Sequence, residues 1–219
     1  MLVSDYLSHI TKGEVKQLYL SDIGTTTPNA VQQANIDTLI TYVNEANLEL
    51  HKHFGLIQKE YVLTDVTNNQ LFSIPTDFLY AISATFDDGR EVAINNERTN
   101  FIDDIDYNVS ILFPAPFKVL VKGIDTKSPP KDDISIVYVS IPAVVTLTTD
   151  FIDLPQVYNE ALYNYVAYKA HASVKGDMKA ENNTYYLRYN ESIKNIRLLG
   201  MKNSDNLDSN VKLTDRGFV

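Results

Sequence analysis

Between residues 30 and 54 the chain sets Ile36, Leu39, Ile40, Val43, Ala46, Leu50 and Phe54 mostly three or four positions apart. That spacing lines one face of a helix, and Gln32, Gln33, Asn44, Glu45 and Lys52 fall on the other faces. The turn cluster Gly24-Thr25-Thr26-Thr27-Pro28 precedes it, which predicts Thr27 as the cap, Pro28 in the first turn and Gly55 as the stop. A second helical rhythm spans Asp150 to Gly200. Leu154, Val157, Ala161, Tyr165, Tyr168 and Ala172 form its first stripe, with Asp153 as cap and Pro155 in the first turn. Gly176 and Asp177 break the run, and Tyr186, Tyr189, Ile193 and Ile196 resume it before Gly200, so the stretch reads as two antiparallel helices. Residues 1 to 24 read as short helical pieces, with Ser4 and Asp5 as one cap and Thr11 to Glu14 at capping-box spacing. Within them, Glu14 to Leu20 alternates well enough to read as a strand.

From Leu56 the period changes to two. Lys59 to Asp65 and Leu71 to Ile74 are predicted strands joined through Thr67-Asn68-Asn69, and Ile74-Pro75-Thr76-Asp77 is a corner. Ile82, Ala84 and Phe86 alternate into Asp87-Asp88-Gly89 and out through Val92 and Ile94, the clearest hairpin in the chain. Asn95 to Asn108 reads as a polar loop. Phe117 to Lys122 and Ile134 to Ile141 form a second pair of strands around a long connection, residues 123–133, that contains Ser128-Pro129-Pro130. Ile134 to Ile141 is apolar on both faces and is predicted as a central strand.

The order of helices, strands and helices predicts an α+β protein. Residues 1–57 and 150–200 would form one discontinuous helical bundle, residues 58–149 an inserted antiparallel β-sandwich or barrel-like unit, and residues 201–219 an extended C-terminal arm. That arm is polar and aperiodic until Phe218 and Val219, so it reads either as a disordered tail or as an arm with an apolar hook for a neighbouring subunit.

Composition narrows the chemistry. At 219 residues and 44% hydrophobic content the chain can bury a core. No run approaches the roughly 20 apolar residues of a membrane span, and the first sixteen residues lack a signal-peptide core, which predicts a cytosolic protein or a particle assembled in the cytosol. The absence of cysteine excludes disulfides, thiolate metal sites and thiol catalysis. A formal charge of −9 argues against a specific DNA reader, while suiting a surface past which DNA slides without sticking. No phosphate-binding glycine loop and no G-x-S-x-G elbow is present. His51 and His53 sit at a helix end about 200° apart, where the helix dipole favours them in any case. Asp104, Asp106 and Asn108 imitate half a calcium loop, but Val109 and Ala115 stand where it needs glycine and glutamate. No catalytic residue, metal site or cofactor is nominated.

The odd feature is tyrosine. Seven of the fourteen (Tyr158, Tyr163, Tyr165, Tyr168, Tyr185, Tyr186 and Tyr189) lie in the C-terminal hairpin, and immediate neighbours cannot all face one core. Tyr163, Tyr185 and Tyr186 are therefore candidate subunit-interface residues, the alternative being half-buried rims of an ordinary core.

The layout also resembles a known family. A helical element ending in Leu20-Ser21-Asp22-Ile23-Gly24, the helix opening Ala30-Val31-Gln32-Gln33-Ala34-Asn35-Ile36, a β insertion, and Asp150-Phe151-Ile152-Asp153-Leu154-Pro155 followed by Tyr158, Ala161 and Leu162 resemble the head-to-tail adaptor proteins of tailed bacteriophages, nearest the tail tubular protein A type. The resemblance spans about Tyr6 to Leu199 and is strongest at the Leu-Pro helix start. It implies a non-enzymatic virion protein of the neck or tail, assembled in the host cytoplasm as a twelvefold ring between the portal and the tail or nozzle protein. The bundle would form the ring wall, the arm with Phe218 and Val219 would dock on the portal, and DNA would pass through the lumen unread. Two other classes stay open: a virion surface-binding module recognising a host glycan or protein through the β unit, and a hydrolase with unmarked carboxylates.

Overall fold

A computed structural model of the chain describes residues 1–13, 28–87, 89–94, 109–123, 133–175 and 183–199. The fold is α+β, and its described residues divide into two compact units, one from residues 1–54 and 142–199 and the other from residues 55–141.

Among the described residues the first unit holds four α-helices: α1 (Val3–Lys12), α2 (Ala30–Phe54), α3 (Asn159–Lys175) and α4 (Thr184–Leu198). All seven residues of the predicted α2 stripe are buried, and the helix ends at Gly55, whose φ of +58° is the left-handed stop. Its start differs from the prediction. Asn29 and Gln32 cap each other, Gln32 N donating to Asn29 Oδ1 (2.9 Å) and Asn29 N to Gln32 Oε1 (2.8 Å), so the helix begins past Pro28. Thr27 and the preceding turn lie outside the described residues.

Helix α1 also starts before its predicted cap. Ser4 and Asp5 lie within its first turn, where the free amides of Val3 and Ser4 donate to Asp150 O (3.0 Å) and Thr148 O (2.9 Å). Thr11 opens no capping box; its hydroxyl donates to Leu7 O (2.7 Å) inside the same helix. The 142–151 segment is held from the other side by α2, because Asn44 exchanges two hydrogen bonds with the Val145 backbone (2.8 Å each). Pro155 occupies the position before a single 3-10 turn (Gln156–Tyr158), without a side-chain cap, and α3 follows at Asn159. The α3 stripe is rotated from the predicted one: Val157 is exposed, while Ala161, Leu162, Val166, Ala167 and Ala170 are buried. Three neighbours explain this, since α3 packs against both α2 and α4 and Tyr6 of α1 donates to Leu162 O (3.2 Å). In α4 the buried positions are Tyr189, Ser192, Ile193 and Ile196, and Asn183 caps it by accepting from Tyr185 N (2.9 Å).

The second unit has two sheets. β1 (Gln58–Leu63), β7 (Ile134–Ser140) and β3 (Phe78–Phe86) form one in the order β1-β7-β3; β2 (Leu71–Ser73), β6 (Lys118–Lys122), β5 (Ser110–Ala115) and β4 (Ala93–Ile94) form the other, in the order β2-β6-β5-β4. β7 is central, as its two apolar faces predict. Its expected partner β6 belongs to the other sheet. At the expected hairpin, Gly89 N donates to Phe86 O (2.9 Å) and Val92 N to Ala84 O (2.9 Å), Asp88 lying outside the described residues. The outgoing arm then leaves, and β4 pairs in parallel with β5, so one short pairing departs from the expected antiparallel pattern. Strand β5 carries Pro114 beside a register shift, a place where a missing N–H is tolerated. Leu63, Phe86, Ile134 and Ile136 from one sheet and Ile111, Val119 and Val121 from the other share an apolar core. Ser140 N donates to Ile57 O (2.9 Å), continuing the β1–β7 ladder to the ends of the unit.

Candidate interaction surfaces

The hairpin tyrosines split into four environments, of which Tyr158 has one to itself, buried with its ring edge-on to Phe54 of α2 (5.1 Å). Tyr165, Tyr168, Tyr186 and Tyr189 form a ring cluster between α3 and α4, with centroid separations of 5.2 Å for Tyr165–Tyr189 and 5.1 Å for Tyr168–Tyr186. Burial pushes the Tyr189 hydroxyl well above its usual range, and that hydroxyl has no hydrogen-bond partner among the described residues. Lys169 lies over the Tyr165 ring (5.5 Å) and pairs with Glu45 of α2 (2.9 Å), which raises its own pKa. Tyr163 leaves the face of Tyr165, as the spacing requires, stacks on Tyr6 (4.8 Å) and meets the His9 ring at a tilt (4.6 Å), both in α1. Tyr185 stacks on His171 (4.8 Å), and the Arg188 guanidinium lies 5.9 Å from its ring. Tyr163, Tyr185 and Tyr186 are thus all half-buried and in ring contact within the chain. Phe218 and Val219 lie outside the described residues.

Two apolar surfaces of the helical unit escaped the sequence reading. The first is built by the backbone bridge between Leu2 and Phe151, next to the turn in which Asp150 N donates to Leu147 O (3.1 Å). Leu2 (38% exposed), Leu147 (61%) and Phe151 (68%) face solvent there, and Val144 (70%) lies in the same loop. The Asp150 carboxylate accepts from the Thr146 and Leu147 amides (2.8 Å each), which holds the turn and keeps its pKa low. The second is the outer stripe of α4, where Leu187 (56%) and Leu198 (76%) lie on one side of the helix about three turns apart, with Leu199 (69%) beyond. The signal for both was adjacency. Phe151 precedes the buried Ile152 in an extended segment and must point the other way. Leu198 falls off the Tyr189–Ile193–Ile196 stripe.

A polar cleft lined by His9, Glu160, Tyr163, Asn164, Arg188, Glu191, Ser192 and Asn195 lies where α1, α3 and α4 meet. His51 is fully buried, its Nδ1 set against Asn47 O (2.8 Å), and burial lowers its pKa; His53, more exposed, meets Arg197 (3.1 Å). The two imidazoles therefore occupy different surroundings, and the described residues contain no group of three metal-ligating side chains. The acidic half-loop at Asp104, Asp106 and Asn108 lies outside the described residues. No described helix is long and apolar enough to cross a membrane.

No curated protein matches the sequence. One family pattern does, described as SU10 adaptor protein, and it covers residues 11–212, running through both units. With nearly the whole length matched, the chain belongs to the SU10 adaptor protein family, the head–tail adaptors of bacteriophage virions.

Proposed function

We propose that the protein is a ring-forming connector, of the tail tubular protein A type, seated between a phage portal and the tail or nozzle protein. The observation that carries this reading is the exposure of large apolar side chains on two separate surfaces of the helical unit, Leu2–Leu147–Phe151 and Leu187–Leu198. A subunit of a closed ring needs two different faces, one for each neighbour. Twelve copies, the number the phage resemblance implies, would form the wall, with Tyr163, Tyr185 and Tyr186 presenting their outer edges to neighbouring chains. Residues 201–219, with Phe218 and Val219, form the portal-docking arm. The excess of acid, −9 overall, lets DNA pass the lumen without adsorbing. The role is structural, needs no cofactor, and places the protein in the virion neck after assembly in the host cytoplasm.

Electron microscopy of the purified protein, alone and mixed with the portal of the same phage, tests this. The free protein is expected as a monomer and the mixture as portals capped by a ring; portals that stay bare would overturn the reading. Binding of the isolated protein to host glycans or cells would favour a surface-binding role for the β unit instead.

A further inference from the structure

We infer that the ring contact is heterologous: the Leu2–Leu147–Phe151 surface of one copy receives the outer stripe of α4 of the next. This rests on the connector reading above and names the two faces that meet. The charges around them decide the pairing. Asp5 and Asp153 are exposed, and Asp150 half-buried, in the segments that build the first surface, residues 1–5 and 144–153, which hold no lysine, arginine or histidine and whose one cation, the Met1 ammonium, donates to Ile152 O (3.0 Å). The exposed side of α4 carries Arg188, Lys194 and Arg197 against a single acid, Glu191, so in a chain of net charge −9 it is a locally basic face.

Helix geometry puts Leu187, Glu191, Lys194 and Leu198 on one outer stripe, opposite the buried Tyr189, Ser192, Ile193 and Ile196. Two leucines therefore flank a charged middle. Setting the first surface on its own copy would bring aspartates against aspartates, and setting α4 antiparallel on α4 would match Glu191 with Lys194 but bring no acid to Arg188 and Arg197 on its flanks. Setting one on the other covers Phe151 and Leu198 while the aspartates meet the basic side chains. A contact between unlike faces propagates head to tail and closes into a ring, which a two-fold contact cannot do.

The chain has no cysteine, so introduced thiols report the contact directly. Phe151→Cys and Leu198→Cys change exposed side chains, as do Leu2→Cys and Leu187→Cys, which serve as a second pair. Equal amounts of the Phe151→Cys and Leu198→Cys proteins are assembled on the portal of the same phage and oxidised, with rings counted by electron microscopy in parallel. A disulfide dimer containing one copy of each variant is expected, reduced several-fold by Asp153→Lys and regained when Lys194→Asp is added to the partner copy. Rings that form without this mixed dimer in either pair, or dimers joining like to like, would overturn the assignment and leave the connector reading standing. Portals without rings would overturn both.

Discussion

The helical unit and the β unit bury different chemistry. The β unit closes two sheets over Leu63, Ile111, Val121, Ile134, Ile136 and their neighbours, with only serines among its described buried polar residues. The helical unit buries Asn47, His51, Asn164 and His171 among its apolar side chains, and exposes Phe151, Leu147 and Leu198. The β unit keeps amides and imidazoles out of its core and leaves Leu71 and Phe117 about half exposed, whereas the helical unit buries both kinds of group and exposes Phe151 and Leu198 further. Under the proposed ring, that difference makes the helical unit the one that assembles, and each side of it is open to measurement.

The largest effect belongs to the sealed core. Ile136→Ala on the central strand β7 is expected to cost about 2–5 kcal/mol, because a fully buried side chain is removed from between packed neighbours. Chemical unfolding measures it; a loss below about 2 kcal/mol, the lower end for such deletions, would mean that the core is loosely packed. Next comes Tyr163→Ala. The spacing argument alone would have this variant fold normally and fail only in assembly, but its ring is stacked on Tyr6 and tilted against His9. It is expected to destabilise the helical unit by roughly 1–3 kcal/mol through lost aromatic contact and burial. A melting temperature equal to that of the parent would return Tyr163 to a purely intersubunit role.

The third effect is a pH dependence confined to the helical unit. His51 is held neutral by burial, with its folded pKa below 6.5, so between that value and 6.5 the unfolded chain binds the extra proton. Stability therefore falls as pH drops below about 6.5, by at most about 1.4 kcal/mol per pH unit from this group. Thermal unfolding from pH 7.5 to 5.5 should show the fall, and His51→Gln should reduce it, leaving the part due to His53, whose pKa burial and the Arg197 charge also lower. The smallest effect is Asn29→Ala at the start of α2, about 1 kcal/mol, through loss of a reciprocal cap on an exposed helix end. Hydrogen exchange at the amides of Ala30 to Gln33 would register it even where the global melt barely moves.

Legibility followed the number of neighbours each element has. Helix α2 presents one buried face, so its stripe was readable residue by residue, while its cap was not, because Thr27-Pro28 and Asn29-x-x-Gln32 are competing start signals in adjacent positions. Helix α3 touches α1, α2 and α4, and burial on several sides blurs a single periodic stripe. Strand β5 went unread because Pro114 looks like a break, and the departure of β4 to the other sheet is a long-range pairing that no local pattern encodes. The tyrosines drew attention by number, yet all seven found partners or cover within the chain. Phe151 and Leu198, the more exposed residues, became visible only once the fold showed which faces were already taken.

The hydrogen bond from Ser140 to Ile57 bears on how much foreign chain the helices can carry. Residues 55–141 would, as a slack tether between α2 and the following segment, make closing the helical unit an entropic burden that grows with length, by about 0.6 kcal/mol for every doubling. Because the first and last strands of the insertion pair with each other, its two ends are already side by side when the rest of its residues are counted. To the polymer statistics of the helices, the whole β unit then has the length of a short turn. Its size and surface can therefore drift, or be exchanged by an experimenter, with little consequence for how readily the flanking helices find one another.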